Sequence, residues 1–366
     1  MKYTFELNNA RPDSVNFSNK FTQKSPVVEI FSAMIEGKDL SSFGKKADEA
    51  AKYIMGLASK AEMGDTTAAC ELNTLRKFAI EPKLMQEIKL LGIFGNYTPL
   101  AFGETVEVET YKHIGVESNR QAEGTDVSFP TIKKEKYQVP TQIVSGGYAV
   151  NYRQVAMGDM AKENEGMEQV KVSIRNNATK YVIETVFKAI ETATGVKYFF
   201  EAAGLTKTGI DGILTKVRRF GKPVLTGDYA VLSQLNAFAG YISSLNAKDV
   251  IGISQKVLDE INQTGLLGSY NGSLLQEINN AYDLTSLTAD KANFNTLLPQ
   301  GLAFVIPTGG SSPIKTFTRG GLTSFTGNDV TTGTIMTRFD LEVAADVAKN
   351  REFEIGVIHD TNLDTL

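Results

Sequence analysis

The sequence predicts an α+β protein in which an irregular N-terminal arm and an extended two-stranded ribbon accompany a body of mixed helices and strands. Apolar residues recur every four positions along residues 167–193, which is typical of one long helix. Polar and apolar residues alternate before this helix and near the C-terminus, which is typical of strands. The composition of the 366 residues, 42% hydrophobic and 22% charged, is that of a globular chain and not of a disordered or collagen-like one.

Charge and cysteine content limit the possible functions. The chain has 38 basic and 42 acidic residues and a net charge of −4, which argues against a protein whose main function is to bind the phosphate backbone of nucleic acids. The single cysteine, Cys70, excludes an intrachain disulfide and is compatible with a reducing compartment. The first residues contain no apolar run, and stretches such as 90–94 are far shorter than the roughly 20 residues of a membrane helix. We therefore expect a soluble protein without a secretory signal.

The first 102 residues are expected to form an arm followed by helices. Residues 1–44 show no sustained period and contain Pro12 and Pro26, so we predict an irregular arm with a short helix near Val28–Ile35. Residues 45–102 show helical periodicity instead. The helices predicted there are 45–61, Thr66–Phe78, which ends before Pro82, and Lys83–Leu91.

Residues 103–144 are expected to form an extended β-hairpin. In its first half Val106 and Val108 alternate with Glu107 and Glu109, as the two faces of a strand require. Few large apolar side chains lie in the middle of this segment, and an isolated two-stranded ribbon is marginal in water. We therefore expect another surface to hold it.

Residues 145–204 contain the long helix, which we place after Gly166. It would span about 27 residues, 167–193, and would be about 40 Å long. Glu184 and Lys188 form a favourable i,i+4 pair within it. This length exceeds that of the usual globular helix and calls for a special explanation.

Two further segments, 205–315 and 316–366, mix short helices with strands. Asp228 follows an apolar strand pattern at a turn and is a predicted helix N-cap. The other expected elements are a partly helical stretch at Leu205–Phe220, a helix at Asp249–Ile261 capped by Asp249, a turn-rich loop at Gly265–Gly272, a buried strand at 301–310, and strands at Ile335–Val343 and Glu352–Ile358.

The sequence lacks the common motifs of catalysis and cofactor binding. Gly221-Lys222 is followed by Pro223 and has no glycine five positions earlier, so no phosphate-binding P-loop is present. No G-x-G-x-x-G, H-E-x-x-H or Cys-x-x-Cys spacing occurs either. We predict that the chain is not an enzyme and has no catalytic, cofactor-binding or metal site.

Five other groups of residues have chemistry that could form a site, and we weighed each against a structural role. A packing, turn or solvated-surface role is favoured for all five. The groups are His113 with His359 as metal ligands, Cys70 as a nucleophile, Glu107 with Glu109 as an acid–base pair, the turn Gly309–Ser312 as an anion cradle, and the charged run 133–136 as a phosphate contact.

The order of the parts is more distinctive than any motif. The arm is followed by the ribbon GETVEVETYKHIGVESNRQAEGTDVSFPTIKKEKYQV, by the long helix at 167–193, by FGKPVLTGDYAVLSQL at 220–235, and by TGTIMTRFDLEVAADVAKNREFEIGVI at 332–358. From about Gly103 onward, this order resembles the major capsid proteins of tailed bacteriophages, whose Hong Kong 97-like fold encapsulins share.

The resemblance implies a Hong Kong 97-like major capsid fold with an N-terminal arm, an extended β-hairpin loop, a long spine helix, and peripheral and axial domains. Residues 145–204 and 316–366 would form the peripheral domain, and 205–315 the axial domain, with Gly265–Gly272 one candidate for contacts at the capsomer axis. A hinge at Pro140, Gly146 and Gly147 would change the angle of the ribbon. An uncut N-terminus would leave scaffolding to a separate protein.

The implied function is that of a major capsid protein, which assembles into hexamers and pentamers of an icosahedral head around double-stranded phage DNA. The implied partners are further copies of the chain, scaffolding and portal proteins, cement proteins and DNA bound without sequence specificity, with no membrane partner. The implied location is the virion, and the host cytoplasm during assembly. The alternatives are an encapsulin-type nanocompartment shell, an α+β enzyme, and a phage tail or baseplate protein.

Overall fold

Two sheets, each packed against helices, organise the part of the chain that the computed structural model describes. The described residues are 25–36, 38–88, 92, 94–111, 134–151, 157, 161–238, 261–288, 291–329 and 334–363. The helices are α1 (Pro26–Ile35), α2 (Lys45–Glu62), α3 (Thr66–Ile88), α4 (Ala161–Glu191), α5 (Lys207–Val217) and α6 (Tyr229–Phe238), with short 3-10 turns at Ser41–Phe43 and Glu352–Glu354.

Fourteen strands are found among these residues. They are β1 (Asn96–Leu100), β2 (Glu107–Tyr111), β3 (Lys134–Gln138), β4 (Gln142–Val150), β5 (Tyr198–Ala202), β6 (Lys222–Gly227), β7 (Ser269–Tyr270), β8 (Ser273–Glu277), β9 (Tyr282–Leu287), β10 (Phe294–Thr296), β11 (Leu302–Thr308), β12 (Ile314–Asp329), β13 (Thr334–Val347) and β14 (Gly356–Asp360). The α+β fold class predicted from the sequence is confirmed.

The first sheet has four strands in the order β1-β12-β13-β4. The long strands β12 and β13 are antiparallel and pair from Ile314 opposite Val347 to Asp329 opposite Thr334. Strand β4 pairs antiparallel with β13 and β1 pairs parallel with β12. Alternate residues of β13, such as Phe339 and Leu341, are fully buried, so one face of this sheet forms part of the main core.

Helix α4 covers the buried face of the four-stranded sheet. It has 31 residues, about 46 Å, and it begins at Ala161, not after Gly166 as predicted. Gly166 lies inside the helix, at a position where a Cβ would come within 2.7 Å of the Tyr148 ring. Its role is therefore close packing of helix on sheet. The apolar stripe that predicted the helix is buried: Val170, Ile174, Ala178, Val182, Val186 and Ile190.

The N-terminal helices complete the main core. The expected short helix near Val28–Ile35 is confirmed as α1, and the helix over 45–61 is confirmed as α2. The predicted break at Pro82 is wrong, because α3 continues through this proline to Ile88. Leu84 and Ile88, beyond the proline, are fully buried, and burying two such side chains stabilises by roughly 3–6 kcal/mol. This outweighs the cost of about 3 kcal/mol for an interior proline.

The second sheet has six strands in the order β5-β14-β11-β6-β8-β7. The predicted buried strand at 301–310 is confirmed as β11, which lies inside this sheet. Phe304 of β11 packs into the main core, whereas Val305 packs with α5 and α6 in a second core. The predicted N-cap is also confirmed, since the Asp228 carboxylate accepts a hydrogen bond from the backbone N–H of Ala230 at 2.7 Å.

The C-terminal strands differ in extent from their predicted bounds. Strand β13 continues to Val347, past the expected end at Val343, because Ala344, Ala345 and Val347 are still buried. Residues Glu352–Glu354 form a 3-10 turn, and β14 begins only at Gly356.

The segment Gly265–Gly272 is more ordered than the predicted loop. Leu266, Leu267 and Tyr270 are buried in the second core, and Ser269–Tyr270 pairs with β8. Ser269 and the Asn271-Gly272 turn are exposed, and both residues of the turn have positive φ. The predicted helix Asp249–Ile261 lies, apart from its last residue, outside the described residues.

Candidate assembly surfaces

The predicted ribbon starts on the face of the four-stranded sheet that is turned away from α4. Strands β2 and β3 pair antiparallel, with Glu109 opposite Lys136, and form a two-stranded sheet of their own. At the base of this ribbon a third, small core is buried; its members are Val106, Val108, Val139, Phe317, Ala344 and Ala348. The base is therefore held by the chain itself. Residues 112–133, the middle of the predicted ribbon, lie outside the described residues.

Hydrogen bonds at the end of β13 fix the direction of the ribbon. The Tyr137 hydroxyl donates to Oδ2 of Asp346 at 2.6 Å and accepts from the backbone N–H of Lys349 at 3.2 Å. The Thr110 hydroxyl donates to the carbonyl oxygen of Lys349 at 2.5 Å, and the Lys349 ammonium lies 4.3 Å from the centre of the Tyr137 ring. Burial raises the pKa of Asp346, and burial together with this carboxylate raises that of Tyr137. We call these four residues the ribbon latch.

The carboxylates weighed as an acid–base pair lie on the exposed face of the ribbon. The Lys136 ammonium lies 3.0 Å from Glu109 and 3.9 Å from Glu107, and all three side chains are more than a third exposed. Lys136 and the two solvated carboxylates thus form a charge cluster on the surface of the ribbon. Lys136 is the last residue of the charged run 133–136, and its ion-pair partners lie on the other strand of the ribbon.

Strand β4 contains the glycine pair predicted to act as a hinge, and the structure gives it another role. Gly146 and Gly147 lie in the middle of β4, opposite Phe339 and Arg338. A Cβ on Gly146 would come within 3.1 Å of Val170 in α4, and a Cβ on Gly147 within 2.9 Å of the Thr337 carbonyl oxygen. Both glycines therefore permit close packing inside a paired strand. This packing role gives no support to a hinge at these two glycines, which stays a prediction.

A buried ion pair joins the helices to the sheet, and no local sequence pattern pointed to it. Arg76 of α3 and Glu163 of α4 are each 1% exposed and form a bidentate ion pair, with 2.9 Å between Nη2 of Arg76 and Oε2 of Glu163. Arg76 also donates to the Thr337 hydroxyl at 3.1 Å, and Tyr148 donates to Glu163 at 2.7 Å. Burial raises the pKa of Tyr148, which keeps this donor protonated. The cluster fixes the relative positions of four elements, α3, α4, β4 and β13.

The end of the N-terminal arm is anchored by Glu36. Its carboxylate forms ion pairs with Lys38 and with Lys83 of α3. Burial would raise the pKa of Glu36, but the hydrogen bonds and charges of the two lysines prevail and lower it to about 2. Helix α1 is thereby attached to the main core, into which Val28 and Phe31 pack.

The remaining candidate residues are the two histidines and Cys70. His359 lies in β14, with Nδ1 3.6 Å from a Glu201 oxygen and its ring edge-on to Phe187. His113, which was weighed with it as a metal ligand, lies outside the described residues. Cys70 is half-buried in α3. Within the described ranges, no group of three His, Cys, Asp or Glu side chains has an arrangement that could hold a metal.

The turn Gly309–Ser312, weighed as an anion cradle, contacts two cationic side chains. The Ser311 carbonyl oxygen accepts from Arg351 at 2.7 Å, and its hydroxyl accepts from Lys315 at 2.9 Å. This turn connects β11 with β12, as the structural interpretation predicted. No helix among the described residues is both long and apolar enough to cross a membrane.

A long helix behind a four-stranded sheet, a ribbon that leaves this sheet, and a second sheet with its own core define a Hong Kong 97-like major capsid fold. The family model described as "SPbeta prophage-derived putative capsid protein YonB" matches residues 14–359. The chain belongs to this family, and its function is that of a phage major capsid protein.

Solved structures provide further similarities. The chain is similar to the virus-like particle from Pyrococcus furiosus, with 12% identity, a TM-score of 0.44, and coverage of 76% of this chain and 97% of that chain. The corresponding values are 12%, 0.49, 73% and 89% for Microbacterium phage Oxtober96, and 15%, 0.43, 74% and 86% for the mature capsid of bacteriophage PhiM1. No curated protein matches the chain.

Proposed function

We propose that copies of this chain assemble as hexamers and pentamers into an icosahedral head that encloses double-stranded DNA. The observation that carries the proposal is the family match over residues 14–359. The ribbon adds support, because its latched base directs it off the end of the sheet, where a neighbouring copy can receive it. In this proposal α4 and the four-stranded sheet form the peripheral domain, and residues 205–315 form the axial domain.

The proposed partners follow from the proposed shell. They are sister copies, a scaffolding protein, a portal, cement proteins, and packaged DNA bound without sequence specificity. The net charge of −4 fits a container whose lining does not hold the genome tightly. The proposed locations are the virion and, during assembly, the host cytoplasm, and the proposed role is structural and not enzymatic. The encapsulin alternative shares the fold, but the matching family is derived from a prophage.

Sedimentation velocity of the purified chain, followed by negative-stain imaging of each fraction, tests this proposal. We expect two populations, capsomers of five or six copies and fast-sedimenting closed particles. An α+β enzyme would give one small, discrete oligomer, and a tail or baseplate protein would give rings or tubes. Either of these results would refute the proposed shell.

A further inference from the structure

One end of the six-stranded sheet collects basic residues. Strands β5, β6, β8 and β14 run in one direction and β11 runs against them, so the first residues of these four strands and the last residue of β11 lie at the same end. Helix α5 leads into this end, because a short turn joins its last residue, Val217, to Lys222, the first residue of β6. We call residues 216–222 the basic corner.

The basic corner concentrates positive charge in a chain whose net charge is −4. Between Asp211 and Asp228 the sequence has four basic residues and no acidic one. All four side chains are exposed, and none of them forms an ion pair with a carboxylate of the described residues. They are Lys216, Arg218, Arg219 and Lys222.

Contacts within the chain hold the basic corner in place without neutralising it. The Lys216 ammonium lies 5.5 Å from the centre of the Tyr198 ring, and the Phe220 ring lies 6.4 Å from the same ring, centre to centre. The Arg218 guanidinium donates to the carbonyl oxygen of Asn271 at 2.9 Å. Aromatic rings and a carbonyl oxygen position these cations, so their charges stay available to an external anion.

Two further cations lie at the same end of the sheet. Lys222 is opposite Thr308, the last residue of β11, and the turn after β11 contains Ser311. Lys315 and Arg351 both donate to this serine, to its hydroxyl and to its carbonyl oxygen. Burial and the nearby charge of Arg351 lower the pKa of Lys315, so these two cations are close enough to repel each other.

Carboxylates at this end do not cancel the positive charge. Glu354 pairs with Arg351 at 2.6 Å, and Asp211 pairs with Lys207 at 3.1 Å. The other acidic residue between β13 and β14 is Glu352. An anion that approaches this end of the sheet therefore meets an excess of positive charge.

The chemistry of the basic corner suits the phosphate groups of a polymer. Guanidinium groups bind phosphate oxygens through paired N–H donors, and the corner has two of them in succession, Arg218 and Arg219. A protein segment would also need apolar surface to bury, and within 216–222 the one large apolar side chain that is exposed is Phe220. Exposed cations without an apolar groove are typical of non-specific binding to duplex DNA, which is driven by release of counterions.

We propose that the basic corner binds the phosphate backbone of double-stranded DNA without reading its sequence. The inference rests on the proposed shell, which encloses such DNA, and it places the basic corner on the inner face of that shell. A contact with so few cations is weak, with a dissociation constant of about 10⁻⁶ to 10⁻⁴ M at physiological salt. A weak contact agrees with a lining that does not hold the genome tightly.

Fluorescence anisotropy of a labelled duplex of random sequence tests the basic corner on the full-length chain in its smallest assembly. The corner variant carries Lys216→Gln, Arg218→Gln, Arg219→Gln and Lys222→Gln. The matched control replaces four exposed lysines of α2 by glutamine, namely Lys45, Lys46, Lys52 and Lys60.

The two variants should differ in affinity and in salt dependence. We expect the corner variant to lose about tenfold or more in affinity at low salt. The slope of log affinity against log salt should shrink by roughly 3–4 for each corner that contacts the duplex. The control should stay within about twofold of the wild type. Equal losses for both variants, or no loss for the corner variant, would refute the basic corner while leaving the proposed shell intact.

A milder variant keeps the test decisive if the fourfold variant does not fold. Arg219→Gln with Lys222→Gln removes two side chains for which the structure shows no hydrogen bond or ion pair among the described residues. We expect the circular dichroism spectrum of the wild type and about half of the change in slope. A poly-glutamate peptide that binds as tightly as the duplex would assign the basic corner to an acidic protein and overturn its assignment to DNA.

Closed particles test the position of the basic corner in the shell. Empty wild-type particles should bind an added long duplex no better than the corner variant does, because the wall separates the corner from the outside. Binding as tight as that of the smallest assembly would contradict an inner position. If the wild type forms no particles at all, the proposed function fails, and the anisotropy measurement still decides whether the basic corner binds DNA.

Discussion

Replacing three glycines of one sheet separates close packing from hinge motion. Gly146→Ala adds a methyl group that faces Val170 and Ile174 of α4 at 3.1 and 3.2 Å, so these side chains must move by a few tenths of an ångström. Gly147→Ala brings a methyl group within 2.9 Å of the Thr337 carbonyl oxygen, which belongs to the paired backbone and yields less easily. Gly327→Ala is the matched control, because Gly327 lies in β12 and a Cβ there has no neighbour within 4 Å.

The expected changes in unfolding free energy follow from these distances. Loss of glycine stabilises by roughly 0.4–1 kcal/mol through the unfolded state, and this is the whole effect expected for Gly327→Ala. Overpacking costs roughly 1–3 kcal/mol. We therefore expect a net loss of about 1 kcal/mol for Gly146→Ala and about 2 kcal/mol for Gly147→Ala.

Denaturant unfolding followed by far-ultraviolet circular dichroism measures these differences, since the chain has no tryptophan to report by fluorescence. All three variants are compared in the smallest assembly that they share with the wild type. The reasoning is refuted if Gly146→Ala and Gly147→Ala are as stable as Gly327→Ala and instead change only the curvature of the shells, as a hinge would require.

Three further predictions concern ionisable groups. Arg76→Met should lower the unfolding free energy by about 3–5 kcal/mol, because it leaves the Glu163 charge buried without its cation. The double variant Arg76→Met, Glu163→Met should lower the unfolding free energy by less in the same denaturation assay, because neither charge then stays buried. The low pKa of Glu36 stabilises the fold above pH 4.5, and this contribution should be lost as the pH falls toward about 2; Glu36→Gln should lack this part of the pH dependence of the unfolding midpoint. Burial raises the pKa of Asp346, so the contribution of this carboxyl group to the unfolding free energy should fall as the pH rises above 3.8. Asp346→Asn, which keeps an acceptor for Tyr137, should therefore be at least as stable as the wild type at neutral pH and equal to it in acid. Lower stability of this variant at neutral pH would contradict the prediction.

Periodic and capping signals predicted the elements that they control locally. The apolar stripe of α4 was visible in the sequence because a helix buried along one side repeats its contacts every three or four residues. The N-cap at Asp228 was visible because the preference acts within three residues. Both predictions were confirmed because neither depends on distant parts of the chain.

The errors occurred where a distant contact overrides a local preference. Gly166 resembled a helix boundary, but the ring of Tyr148 requires a glycine within the helix. Pro82 resembled a helix end, but burial of Leu84 and Ile88 extends α3. Such contacts leave no pattern in the sequence near the residue concerned.

The assembly surfaces were only partly predictable for the same reason. Alternation in 103–144 predicted the ribbon, and the antiparallel strands β2 and β3 form its base. The buried ion pair between Arg76 and Glu163 joins residues 87 positions apart, so it became visible only once the helices were placed.

Electron cryomicroscopy of the particles formed by the expressed chain tests the central claim most directly. The account predicts closed shells one subunit thick, built from rings of six and five copies. A discrete small oligomer, or stacked rings without fivefold vertices, would contradict it.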